Sequence, residues 1–185
     1  MNFIKKYWFT AILLAFVFVL FAFPNVKTKI RDAFFPIAAI DSTLKLSDQD
    51  YDIELKGINV PDTNLKDLKG KKTLFLNFWG TWCPPCRQEW PSIQELYNAK
   101  KDKTDFVLIA VQDEEAAVKK FLKENNYTVP VYIAQSPLSK NLLPSVFPTT
   151  YLLDIDGRIL LKETSSRDWN SETARGFIDN VQRKN

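Results

Sequence analysis

Two cysteines, Cys83 and Cys86, separated only by Pro84 and Pro85 and placed directly behind a dense apolar run, constrain this chain more than any other feature. The run Thr73–Trp79 has the length and composition of a strand buried on both faces. Adjacent prolines are tolerated at the first turn of a helix, where a missing N–H costs nothing. The sequence therefore predicts a strand, a short exit through Gly80-Thr81-Trp82, and a helix over Pro84–Lys100 that Pro91 interrupts and kinks.

The remaining pattern alternates in the same way. Phe106–Val111 and Val129–Ala134 read as buried strands, separated by a helix over Asp113–Asn125. That helix has acids in its first turn and lysines later, as the helix dipole favours. Thr149–Leu153 and Arg158–Lys162 form a hairpin across Asp154-Ile155-Asp156-Gly157. Ser171–Gln182 is a terminal helix capped by Asn170 or Ser171. Upstream, Asp52–Leu55 is a short strand and Leu65–Gly70 a helical turn closed by Gly70. This order predicts an α/β fold with a central mixed sheet and helices on both faces.

Length and charge narrow the function. The 185 residues suit one domain and a short appendage. Residues 1–41 hold five of the 25 basic and two of the 22 acidic residues, so 42–185 carries 20 of each. A body without basic excess is not steered onto nucleic acid. The chain has no histidine, which excludes Ser-His-Asp and Cys-His catalysis and imidazole metal ligation. Two cysteines alone make a poor zinc site. No metal and no cofactor is expected.

Lys5 and Lys6 precede an uncharged run, Tyr7–Phe23, ended by Pro24. As a helix it would rise about 26 Å, close to a hydrocarbon core of about 30 Å. Tyr7 and Trp8 stand where interfacial aromatics are expected. A cleavable signal peptide would need a small-x-small site, which Leu20-Phe21-Ala22-Phe23 does not supply. Three segments follow: a signal anchor over 1–24, a stalk over 25–44 and a globular domain over 45–185. Phe34-Phe35-Pro36-Ile37 in the stalk is expected to pack on the membrane surface or on the domain. Lys27, Lys29 and Arg31 leave the charge rule for orientation nearly tied. The redox chemistry is what places the domain outside the membrane.

A helix N-terminus stabilises a thiolate, so Cys83 is the expected nucleophile and Cys86, one turn on, its more buried disulfide partner. A bridge closing so small a loop would be a weak structural staple, which favours a working redox pair. Pro84 and Pro85 offer no N–H to the sulfur, and no basic residue stands between the cysteines. A strongly oxidising couple is therefore not expected. Glu89, one turn beyond Cys86, is either an exposed helix residue or a proton carrier for that thiol. Trp79 and Trp82 are either core or an apolar rim that docks partners. On local sequence alone Pro148, entering a strand after Phe147, is expected to be trans. Two other functions compete: a thiol peroxidase, with Arg87 the only basic residue close by, and a non-catalytic module that holds a partner or metal.

Taken together, Asn77-Phe78-Trp79-Gly80-Thr81-Trp82-Cys83-Pro84-Pro85-Cys86, Glu89, Pro91, Phe147-Pro148-Thr149-Thr150 and Leu153-Asp154-Ile155-Asp156-Gly157 resemble the membrane-anchored thioredoxin-like proteins of the TlpA/ResA type. The similarity covers roughly 45–183. It implies a thioredoxin-like fold, a redox disulfide between Cys83 (attacking) and Cys86 (resolving), and a cis Pro148 beside them. It also implies an active-site role for Glu89. Trp82, Pro84, Phe147 and Pro148 become the expected substrate-binding residues. Such proteins reduce disulfides of partner proteins outside the bacterial cytoplasmic membrane and are recharged by a membrane-embedded thiol donor. Cytochrome c maturation is one role in that family. Phe147 departs from the smaller residue common before the proline.

Overall fold

The computed structural model describes residues 3–22 and 44–184, in two units that divide between Ile37 and Ala38. The first contains α1 (Phe3–Ala22). Its uncharged part, Tyr7–Ala22, rises about 24 Å, short of a hydrocarbon core of about 30 Å. Among the described residues, no helix is long and apolar enough to cross a membrane. The stalk lies outside the described residues apart from Leu44, as does the Phe34–Ile37 segment.

The second unit is built on one mixed sheet. In chain order its elements are the single turn α2 (Asp48–Tyr51), β1 (Glu54–Gly57), β2 (Thr63–Asn64), a 3-10 turn (Leu65–Leu68), β3 (Thr73–Trp79), α3 (Pro84–Lys100), β4 (Thr104–Ala110), α4 (Glu115–Asn125), β5 (Val131–Ala134), β6 (Thr149–Leu153), β7 (Ile159–Glu163) and α5 (Glu172–Lys184). The strand order is β2-β1-β5-β4-β3-β6-β7. β3, β4 and β5 are parallel, and the outer strands add antiparallel on each side.

The expectation of helices on both faces holds for one face only. The units β3-α3-β4 and β4-α4-β5 step across the sheet in the same direction. Right-handed crossovers then place α3 and α4 on the same side. There Trp79 of β3 meets Trp90 of α3 at 4.4 Å and Phe121 of α4 at 5.3 Å between ring centroids. Lys100 of α3 pairs with Asp179 of α5. The opposite face, which includes Leu74, Leu76, Phe78, Val107 and Ile109, is covered by Leu46, Tyr51, Leu65 and Leu142 from short turns and loops. Trp79, set beforehand between core and rim, is core.

Boundaries shift at the ends of elements. The first strand starts at Glu54, two residues later than expected, because Ser47 caps α2 and the turn runs on to Asp52. Ser171 caps α5 by accepting from Ala174 N at 3.3 Å. α3 spans Pro84–Lys100 as expected, with Pro91 inside it and no change of helical assignment there. Pro91 lies on the exposed side, away from the sheet, where it contributes no N–H to the helix.

The cluster of Trp79, Trp90, Phe121 and Tyr127 fixes α3 and α4 to the sheet. Trp90 is fully buried. Trp90→Ala is expected to cost about 3–5 kcal/mol, read as a lower urea midpoint with the unfolding slope unchanged.

Candidate active site

β3 and β4 end together, Trp79 opposite Ala110, and the chain leaving each strand builds the site. After β3, Gly80 leads into a loop over which Trp82 folds back. A Cβ on Gly80 would stand 2.5 Å from Trp82 Nε1, so only glycine fits beneath the ring. Trp82 Nε1 donates to Val111 O at 3.0 Å. After β4, the Asp113 carboxylate accepts from the Thr81 backbone N–H and, at 2.8 Å, from the Thr81 hydroxyl. Both contacts hold the approach to the cysteines.

Cys83 is the N-cap of α3, with Pro84 and Pro85 in the first turn. Because neither proline has an N–H, Cys86 supplies the first donor of the helix, and it points at Cys83 Sγ at 3.3 Å. The two cysteines are joined in a disulfide. Cys83 is 3% exposed and Cys86 fully buried. Pro84 is exposed beside them.

Trp82 is 49% exposed, and its ring stands edge-on to Phe147 at 5.4 Å. The rim alternative therefore describes Trp82. The Phe147–Pro148 bond is cis, as the resemblance implied and against the local expectation of trans. Thr149 pairs with Phe78, so the buried Pro148 sits at the end of the sheet where β3 releases the chain to the cysteines.

Glu89 is not an exposed helix residue but is 2% exposed. α3 presses this face onto the sheet through Trp90, Ile93 and Leu96, and Glu89 is carried inward with them. Its Oε1 accepts from Asn77 Nδ2 at 3.0 Å, and the same amide donates to Thr150 Oγ1 at 2.8 Å. Its Oε2 accepts from Trp169 Nε1 at 3.0 Å and from Arg167 N at 3.2 Å. Burial pushes the Glu89 carboxyl up to about 7. The donors Trp169, Arg167 and Asn77 pull the other way, and the Glu163 charge adds to the rise. Glu163 is only half-buried, and although that burial raises its carboxyl, the Ser165 hydroxyl and the Arg167 guanidinium hold it below the ordinary range. The Arg167–Glu163 pair, at 2.7 Å, fixes the loop that presents Trp169.

The expected residues thus come together, and four others join them. Asn77 carried a usable signal, since a polar residue inside a seven-residue apolar strand must find a buried partner. Trp169 and Arg167 carried none, because nothing local ties a loop after the hairpin to a helix some 80 residues earlier. Asp113 read only as part of an acidic helix start. Among the described residues, no group of three His, Cys, Asp or Glu side chains could hold a metal ion.

A disulfide at the N-terminus of a helix, set beside a cis-proline on a thioredoxin-like sheet, defines a thiol-disulfide oxidoreductase of the thioredoxin-like class. Residues 49–176 match the Redoxin family model. The chain is 36% identical over 119 residues to the thiol-disulfide oxidoreductase ResA of Bacillus cereus, covering 63% of this chain and 67% of that one. It is 37% identical over 111 residues to the thioredoxin-like protein YneN of Bacillus subtilis, covering 58% and 65%. The matches thus span about two thirds of these relatives' lengths. The crystal structure of StoA from Bacillus subtilis superposes with a TM-score of 0.54 at 28% identity, over 68% of this chain and 92% of that one. The chain belongs to the Redoxin family, among its ResA-type members.

Glu89 holds its proton more tightly in the folded chain than in the unfolded one, where the ordinary value is 4.5. Its contribution to stability is therefore complete below pH 4.5 and is lost as pH rises through about 7. The loss is about 3 kcal/mol. Urea unfolding of the disulfide-intact protein between pH 4 and 8 should show this decline, and Glu89→Gln should flatten it. Trp169→Phe removes a donor to the ionised carboxyl and should carry the decline to higher pH.

Proposed function

We propose that the protein is tethered to the bacterial cytoplasmic membrane by a single N-terminal helix and reduces disulfides of partner proteins on the extracytoplasmic side. The observation that carries the chemistry is the asymmetry of the pair. Cys83 stands at the mouth of α3 between the exposed Trp82 and Pro84, while Cys86 is sealed one turn before the buried Glu89.

In the reduced enzyme the Cys83 thiolate attacks one sulfur of a partner disulfide, and the partner's other sulfur leaves as a thiolate. The result is a mixed disulfide on Cys83. Glu89, whose carboxyl titrates near 7, takes the proton of the Cys86 thiol. The Cys86 thiolate then displaces the partner from Cys83. The second partner sulfur is released and the Cys83–Cys86 disulfide closes. A membrane-embedded thiol donor returns two electrons, with two protons, to restore the dithiol. Trp82, Pro84, Phe147 and Pro148 form the surface on which the partner chain rests. Apocytochrome c disulfides are among the substrates that suit such a site.

Cys83 Sγ accepts one backbone N–H, that of Cys86, and the next amide, Arg87 N, is taken by Cys83 O. With so few donors the thiolate is stabilised moderately, which supports a reducing role. The peroxidase alternative wants a guanidinium at the sulfur, whereas Arg87 lies 5.9 Å over the Phe121 ring on α4.

The tether is supported by α1, whose exposed side chains from Phe9 to Val19 are almost all apolar and which begins with Lys5, Lys6, Tyr7 and Trp8. The segments that follow from it are the anchor over 1–24, the stalk over 25–44 and the domain over 45–185.

Cys86→Ala removes the resolving thiol and should accumulate partners linked to Cys83, seen as higher-mass species in non-reducing gels that collapse with dithiothreitol. Cys83→Ala should trap none. Equal trapping by both variants, or by neither, contradicts the assignment.

A further inference from the structure

The two strands that lead into the site both start at the opposite end of the sheet, and each is preceded by lysines. Lys71 and Lys72 enter β3, Lys101 and Lys103 enter β4, and the pairing of Thr73 with Thr104 sets these segments side by side. A shallow cavity of about 660 Å³ opens there, lined by Lys71, Lys72, Lys103, Ile155, Asp179 and Arg183. Lys72 is drawn to Asp105 at 3.7 Å, and Lys100 pairs with Asp179. Lys71, Lys101 and Lys103 are exposed and make no ion pair among the described residues. Eight cations (Lys45, Lys71, Lys72, Lys100, Lys101, Lys103, Arg158 and Arg183) thus stand with five acids (Asp102, Asp105, Asp154, Asp156 and Asp179) at this pole. Because residues 42–185 are balanced overall, this excess is local. Asp113 stands at the other end, bonded to Thr81 on the approach to the disulfide.

The described part of the globular unit, from Leu44 on, also starts at the lysine-rich pole. Lys45 bridges to Arg158, and Leu46 N donates to Gly157 O at 2.9 Å. Ile155, in the same turn, lines the cavity. The end of the domain that receives the chain from the N-terminal side is therefore its basic end, and the redox end is the far one.

We infer that this basic pole docks on the anionic phospholipid headgroups of the membrane surface and holds the disulfide turned away from the bilayer. The inference rests on the proposed tether, whose chain enters the described part of the domain at this pole. Lysine ammonium groups meet phosphodiester oxygens as point charges, and the attraction fades within about 10 Å, so exposed lysines at the pole contribute and distant charges do not. Each lysine that reaches the headgroups shifts occupancy by about fivefold.

The full chain is reconstituted into vesicles of neutral phosphatidylcholine or of phosphatidylcholine with phosphatidylglycerol, floated, and treated with a membrane-impermeant amine reagent. Labelling of Lys71 and Lys103 is read by peptide mass spectrometry. On the anionic vesicles at low salt it should slow by about fivefold relative to neutral vesicles and recover at about 0.5 M salt, where charges are screened. Lys119, paired with Glu115 at the other end, should keep its rate. K71E/K103E should abolish the difference for Lys72 and Lys101 while disulfide exchange in detergent is unchanged.

Flotation with both vesicle types but equal labelling overturns the docking and leaves the tether standing. Flotation with neither overturns both. Slowing by inorganic phosphate on neutral vesicles, equal to that on anionic ones, identifies a free-anion pocket and overturns the lipid surface.

Discussion

The sulfur of Cys83 closes the first turn of α3, and the site depends on that single cap. Two prolines follow it, so the helix has no earlier amide to offer, and the Cys86 N–H is directed at Sγ. The bond that starts the helix is thus the bond that places the redox atom. Everything around it restrains the same point. Asp113 holds Thr81, the Trp82 ring lies over a glycine that leaves room for it, and the Trp79–Trp90 contact keeps α3 against the sheet. Because α3 is pressed down along the face that bears Trp90 and Ile93, Glu89 is drawn into the interior without a counter-ion. Hydrogen bonds from Asn77, Trp169 and Arg167 make its ionised form tolerable but do not restore the solvation of water.

Much of this was legible in the residues, and the limits have physical causes. Thr73–Trp79 matched its strand end for end, because a strand buried on both faces is apolar at every position and stops where the composition changes. The Cys-Pro-Pro-Cys helix start was equally readable, since prolines restrict where a helix begins. Pro91 did not end the helix, because an exposed proline can ride on the outer side of a helix whose inner side is held by tryptophan. The sidedness of the sheet was not visible in the order of elements. It follows from the direction in which successive crossovers step. Glu89 was singled out by its spacing from Cys86, with an exposed helix residue as the alternative, and its burial came from tertiary packing, as did its partners Trp169 and Arg167. The cis geometry at Pro148 entered through family resemblance and not through local preference.

The globular unit is also polarised. Parallel strands bring their C-terminal ends, with the cysteines and Asp113, to one pole, and the lysines before β3 and β4 to the other. In an α/β sheet the strand ends are where loops are free to vary, so chemistry collects at one end and the opposite end is available for attachment. A protein whose partners are other proteins gains from such a division. The chain enters the described part of the domain at Lys45, at the pole opposite to the disulfide.

The most direct measurement is the thiol content of the full-length protein after equilibration in glutathione or dithiothreitol buffers of stepped potential, read by mass after alkylation. Two thiols should appear together in a single two-electron transition, about 30 mV per decade in the ratio of reduced to oxidised protein, at a potential well below that of strong oxidants. A disulfide that stays closed at every poise, or thiols that appear one at a time, would contradict a working redox pair at Cys83 and Cys86.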